Sequence, residues 1–383
     1  MHLRWTPTLD NKKLVILTLE GLATSALGCY GSSWNHTPNI DSVAAGGYVW
    51  DRWISPTGDS LDLLKRVLVD RKALAEFTDN GLTELVTDDS RVTQWNIDQA
   101  FDQVTLVDPA PVETAAEEFE DAAFARLIAA TLERVENEPD VLWIHSRFLS
   151  KCWDAPRLPL AHEYPTESDE PIENEYLLSA LEPTAESDAP PIVFPQTKPP
   201  EFQLDQYAHP DLVTSWMSTY GCQVRLVDML VGLLLEELGS SFGDFEFVLT
   251  GTSGFGFGQN GWVGHSAGPL RSCHIRLPMI LSSGGPLRVG HVTAADSLAN
   301  VIQQRVLSKG DVVSPEAWVE LCDDYSPRVE TRTNRCRAIT SPKWFLVKEN
   351  DSLECLFLKP DDVNDTNDVS RLRPDIAEQL LAK

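Results

Sequence analysis

Residues 14–31 read LVILTLEGLATSALGCYG, and Thr37-Pro38-Asn39-Ile40-Asp41 follows shortly after. The run from Leu14 to Leu19 is short and almost wholly apolar, the composition of a strand buried on both faces of a parallel sheet. It ends at Glu20-Gly21, so a carboxylate stands where the strand opens into a loop. Open α/β sheets place their sites at that end. Thr37 as cap and Pro38 in the first turn predict a helix over 38–46.

The alternation continues outward from this unit. Gly47 to Trp50 reads as a strand, Asp62 to Thr78 as a helix, Thr83 to Asp89 as a second buried strand ending in acids, and Ala115 to Asn137 as a long helix. Asp140 to His145 is a third strand, Asp211 to Leu238 a helix, and Phe245 to Thr250 a strand that runs into the glycine-rich loop Gly251 to Gly261. Ile275 to Leu281 is another buried strand. The pattern predicts an α/β fold, a mostly parallel sheet with helices on both faces. Over residues 311–383 the character changes to two strands, Lys343–Lys348 and Leu353–Lys359, and a helix from Pro374, a small C-terminal α+β subdomain beside a body of residues 1–310.

Between Pro156 and Pro210 lie 11 of the 25 prolines, and from Glu163 to Asp205 there are 11 acids against Lys198 alone. Such a segment cannot pack a core and reads as an extended surface excursion, a solvated face in preference to a docking segment for a basic partner.

Across 383 residues, 42% are hydrophobic, with 11 Trp and 14 Phe, enough for a large core. A mean hydropathy of -0.19 without a membrane-length apolar run excludes an integral membrane protein. The formal net charge of -27 repels phosphate backbones and anionic lipid, which excludes nucleic acid and membrane surfaces as partners. Seven scattered cysteines without a Cys-x-x-Cys pair read as reduced thiols, and Met1 to Pro7 lacks a secretory run; a cytoplasmic protein is expected.

Taken in order, these segments resemble the sulfatase family of the alkaline phosphatase superfamily. LVILTLEGLATSALGCYG with TPNID resembles the family's opening strand and signature; LWIHSRFLSKCWDAP (142–156) its histidine-bearing strand end; IRLPMIL (275–281) its Arg-x-Pro strand; and residues 338–369 its C-terminal subdomain. The resemblance implies a sulfuric ester hydrolase. That chemistry needs a divalent cation held by oxygen ligands, an activated nucleophile and groups that neutralise sulfate.

Residue by residue, the machinery is thinned. Where the family carries acidic metal ligands, this chain has Glu20 alone at the first strand end and Thr250-Gly251-Thr252-Ser253-Gly254 at the later one. No Cys or Ser stands in the formylglycine pattern; Thr57 and Ser60 are the hydroxyls in the corresponding region, with no arginine or base beside them in sequence. His265 replaces an expected lysine as an anion contact, and His145 at its strand end is either a ligand-binding group or a structural histidine. Glu20 is either a site carboxylate or a cap of the following turn. The expectation is a catalytically degenerate, sulfatase-like protein that binds an anionic or sulfated small molecule, or a protein partner, through His145, Thr252, Ser253 and His265, with no cofactor. The alternative is a hydrolase of sulfate or phosphate esters whose Ca²⁺ or Mg²⁺ is held by Glu20 with Asp41, Asp59, Asp62 or Asp89. An interaction module acting through residues 163–205 is the third possibility. Glycines 254, 256, 258 and 261 read as a tight loop packed by Phe255 and Phe257, and Trp143, Trp153 and Trp262 as core.

Overall fold

A computed structural model describes residues 13–75, 77, 81–108, 112–157, 189–266, 268–282, 284–307, 328–349 and 353–382. Its strands are β1 (Lys13–Glu20), β2 (Tyr48–Ile54), β3 (Thr83–Thr87), β4 (Gln103–Leu106), β5 (Val141–Ser146), β6 (Phe202–Gln203), β7 (Phe245–Ser253) and β8 (Gly256–Phe257). There follow β9 (Trp262–Gly264), β10 (Arg276–Leu277), β11 (Met279–Leu281), β12 (Leu287–Ala294), β13 (Val329–Arg332), β14 (Cys336–Thr340), β15 (Trp344–Glu349) and β16 (Leu353–Leu358).

The main sheet runs β10-β2-β11-β7-β1-β5-β3-β4, with β12 on β2. From β7 to β4 all pairs are parallel, and β11 is antiparallel to both its neighbours. Alternate residues of β1 feed two cores. Val15, Leu17 and Leu19 pack on the side of the helices Ala123–Arg134 and Leu212–Ser241, while Leu14 and Ile16 face the side of Ser60–Lys65 and Leu298–Leu307. This is the expected α/β architecture with helices on both faces.

Several local expectations are corrected. The helix Pro38–Gly46 forms, but Thr37 does not cap it. Its hydroxyl is taken by Gly28 and Asp41, and the buried Asp228 from the long helix instead accepts Ile40 N–H at 2.8 Å and Asn39 N–H at 3.3 Å. The helix expected over 62–78 is the short Ser60–Lys65 followed by a π turn to Asp70. The helix expected from Ala115 starts at Ala123, where Asp154 accepts the Ala123 N–H at 2.9 Å. The first turns of Pro38–Gly46 and Ala123–Arg134 are thus held by carboxylates remote in sequence, Asp228 and Asp154. Pro278 divides the strand expected over 275–281 into β10 and β11, since proline cannot donate to the ladder.

In the acidic excursion, residues 158–188 lie outside the described residues. Its returning limb does pack: Val193 is buried, and the Phe194 ring stacks on Trp216 with centroids 4.0 Å apart.

The C-terminal sheet has four antiparallel strands, β13-β14-β15-β16, not two, backed by the helix Pro374–Ala382. It is tied to the body by Arg52, whose guanidinium donates to the carbonyls of Pro342 (2.6 Å) and Ser341 (2.7 Å), and by Thr331 Oγ1, which donates to Ser55 O at 2.5 Å. No described helix is long and apolar enough to cross a membrane.

Candidate functional site

Parallel neighbours deliver their carboxyl ends to one edge of the sheet. In register, Glu20 of β1 lies beside Ser253 of β7, and His145 of β5 lies between Thr18 of β1 and Thr87 of β3. Gly21, at φ +88°, turns the chain there; a Cβ would stand 3.2 Å from the Leu149–Ser150 backbone, so only glycine lets that loop close over Glu20.

Glu20 is 2% exposed, and a carboxylate so buried needs charge partners. Arg91 Nη2 lies 2.6 Å from Glu20 Oε2 and 2.8 Å from Asp89 Oδ2, and Arg91 Nε donates to Asp89 Oδ1 at 2.9 Å. Arg147 adds a second guanidinium, 3.3 Å from Glu20 and 3.7 Å from Asp89, while Ser150 Oγ donates to Glu20 Oε1 at 2.6 Å. Burial works against ionising Glu20, but positive charge on His265 when that ring is protonated, with Arg91, the Ser150 hydroxyl and Arg147, outweighs it and brings its pKa down to about 2. Burial likewise opposes charge on Asp89, yet His145 and Arg91 hold it well below the usual carboxylate range. Two carboxylates and two guanidiniums form a closed, neutral cluster.

His145 is wholly buried behind this cluster and away from the cleft. Its Nδ1 is 3.1 Å from Thr18 Oγ1, which also accepts Trp143 Nε1–H at 3.0 Å, and its Nε2 faces Asp89 at 3.6 Å. Thr18 Oγ1 itself donates to the Ile144 carbonyl at 3.1 Å. Trp143 and Trp153 are core residues, and Phe255 and Phe257 pack on Tyr220, as the tight-loop reading had it.

Above Ser253 lies a cleft of about 1090 Å³. Thr57, Ser253, Trp262 and His265 line it from the body, and Arg332 and Arg335 from the β13–β14 hairpin. Ser253 Oγ accepts Gly21 N–H at 3.0 Å and lies 2.6 Å from His265 Nε2. Burial lowers the His265 pKa against the pull of Glu20 and Glu201, so the ring is neutral at neutral pH and the charge of Glu20 rests on the guanidiniums. Ser60 is turned inward, its hydroxyl donating to Thr252 Oγ1 at 2.5 Å. Thr57 faces the cleft beside Arg332, with which it forms an isolated parallel bridge.

The structure thus gathers Thr57, Ser253 and His265 on one cavity, keeps Ser60 and Thr252 just beneath, and sets Glu20 beside Ser253. Arg91, Arg147, Ser150, Arg332 and Arg335 went unnoticed in the sequence. The first two had a signal, each following a strand end already marked by an acid or a histidine; Arg335 had none.

The divalent cation implied by the resemblance does not suit this donor set. Both oxygens of Glu20 and both of Asp89 already accept N–H or O–H donors, and the two of Asp88 accept Arg147 N–H and Ser146 O–H. Arg91 and Arg147 would lie against any ion bound there. Asp41 and Asp59 take backbone amides and Asp62 pairs with Arg66. Among the described residues, no three His, Cys, Asp or Glu side chains converge as ligands.

No family model matches the sequence and no curated protein matches it. Solved structures do. The chain is similar to the phosphonate monoester hydrolase of Agrobacterium radiobacter, with TM-score 0.69 and 11% identity over 97% of this chain and 95% of that one. It is similar to a protein solved in complex with its substrate D-glucosamine-2-N,6-O-disulfate (TM-score 0.67, 12% identity, 97% and 96% covered) and to a 2-O glycosaminoglycan sulfatase (0.65, 12%, 97% and 91%). The chain has the fold of the sulfatases and phosphonate monoester hydrolases of the alkaline phosphatase superfamily.

Proposed function

We propose that this sulfatase-fold chain binds a small sulfate- or phosphate-bearing molecule in the cleft over the strand ends, and that it is degenerate with respect to metal-dependent ester hydrolysis. The observation that carries the reading is the engagement of Glu20 and Asp89 by Arg91 and Arg147. A divalent ion has no free carboxylate oxygen there, whereas the rim carries Arg335, and Arg332 paired with Glu330, among the cleft carboxylates Asp59, Asp62, Glu201 and Glu349. The complex of one structural neighbour with a disulfated glucosamine supports a sulfated sugar as the first ligand to try. A reducing, cytoplasmic setting belongs to the same reading, supported by six described cysteines that are all free thiols.

The test is calorimetric titration with D-glucosamine-2-N,6-O-disulfate in EDTA and again in Ca²⁺ or Mg²⁺. Binding unaffected by EDTA and weakened roughly tenfold in Arg335→Ala, the scale of one charge-assisted contact, is the expected result. Binding that requires the metal, or sulfate release that disappears in Glu20→Ala, would instead establish the metal-dependent hydrolase.

A further inference from the structure

The cleft floor carries a chemistry that anion binding does not use. Ser253 Oγ already accepts the Gly21 N–H at 3.0 Å, and its second neighbour is His265 Nε2 at 2.6 Å. With the hydroxyl donating to the ring, Nε2 is the acceptor and Nδ1 carries the proton, the tautomer a general base needs. Held neutral by burial, His265 is in the form a general base requires, and Glu20 and Glu201 favour the imidazolium that forms when it takes a proton. Ser253 lines the cleft although its residue is only 6% exposed, so an electrophile reaches it from one side. Thr57 and Ser60 have no such partner: the Thr57 hydroxyl accepts Asp59 N–H, and that of Ser60 donates to Thr252.

We propose that Ser253 is a nucleophile and His265 its general base, acting without a metal on a phosphorus or sulfur ester seated in the cleft. The substrate class rests on the anion-binding reading above; the nucleophile–base pair does not. Oγ of Ser253 bonds to the phosphorus or sulfur as its bond to the leaving oxygen breaks. The hydroxyl proton passes to His265 Nε2 and from there to the leaving oxygen. Water, deprotonated by the same ring, then cleaves the ester on Ser253 and restores the hydroxyl. Arg335, and Arg332 in its ion pair with Glu330, line the same cleft and would supply positive charge to the non-bridging oxygens of such an ester.

An alkyl fluorophosphonate isolates the first step, because Oγ–P forms, P–F breaks and fluoride leaves while His265 takes the proton. The expected result is a single adduct by intact mass, mapped to the peptide holding Ser253, formed equally in EDTA. It is absent in Ser253→Ala and about 100-fold slower in His265→Gln, the usual scale of general-base assistance. Unfolding midpoints and binding of D-glucosamine-2-N,6-O-disulfate, measured on the same variants, separate lost chemistry from lost structure. No adduct at Ser253, or an unchanged rate in a folded His265→Gln, overturns the proposal. A wild-type chain that binds the sugar without being labelled refutes the nucleophile and leaves the binding reading standing; one that is labelled without binding the sugar does the reverse.

Discussion

Nη2 of Arg91 lies 2.6 Å from Oε2 of Glu20, inside a fold whose sulfatase likeness implies a divalent cation beside the first strand's carboxylate. A guanidinium is a permanent cation with fixed, planar donors; Arg91 bridges Glu20 and Asp89 and balances their two charges together with Arg147. Metal removal should therefore leave stability unchanged, whereas guanidinium removal should lower it.

Arg91→Ala leaves two buried carboxylates with only Arg147 between them, and removal of one partner from such a cluster costs about 3–5 kcal/mol. A drop in the urea midpoint of that size is expected, with part of it recovered by millimolar Ca²⁺ in the variant. The wild type should show the same midpoint in Ca²⁺ and in EDTA; a wild-type gain from Ca²⁺ comparable with the variant's would contradict guanidinium substitution.

Acid should weaken the cluster. Its neighbours hold the folded-state pKa of Glu20 at about 2, below the ordinary carboxylate value of 4.5. Its contribution is therefore present above the unfolded value and is lost as pH falls from about 4.5 toward 2, amounting to at most about 3 kcal/mol. Equilibrium unfolding followed between pH 6 and pH 3 should show a steeper loss in wild type than in Glu20→Gln, which carries no titrating group there.

Asp228 supplies the cap that Thr37 does not. Asp228→Ala frees the Asn39 and Ile40 amides at the start of the helix Pro38–Gly46, and the expected loss is about 1–2 kcal/mol. Thr37→Ala would still disturb Gly28 and Asp41, but hydrogen exchange at Asn39 and Ile40 should accelerate only in Asp228→Ala.

Gly21→Ala combines a left-handed backbone with a Cβ pressed to 3.2 Å against the Leu149–Ser150 backbone. Strain of order 1–3 kcal/mol is expected, together with displacement of Ser150 from Glu20. If the substitution proved thermally silent, the tightness of this turn would be wrong.

Much of the architecture was legible because burial writes itself as pattern. The apolar runs of β1, β3, β5 and β7 are each hidden on both faces, and local composition suffices to mark them. Helix starts at 38 and 374 followed from proline and its fixed φ. Among the strands that escaped notice, β12 with LRVGHVTA and β13 with VETR are half-exposed strands whose pairing, not composition, makes them strands. Boundaries at Ala123 and Ile40 were misread or misattributed because the groups that set them, Asp154 and Asp228, are 31 and 188 residues away.

The candidate site divides in the same way. By itself the sequence determined that Glu20, His145, Thr252 and Ser253 lie at strand ends, since strand ends follow from the run of apolar residues before them. Only the tertiary structure decided what those residues do: parallel register sets Glu20 beside Ser253, folding brings Arg91 71 residues along the chain to Glu20, and the C-terminal hairpin carries Arg332 to Thr57. Strand formation answers to near neighbours in sequence, whereas the charge state and hydrogen-bond partners of a buried group answer to whatever is packed against it in space.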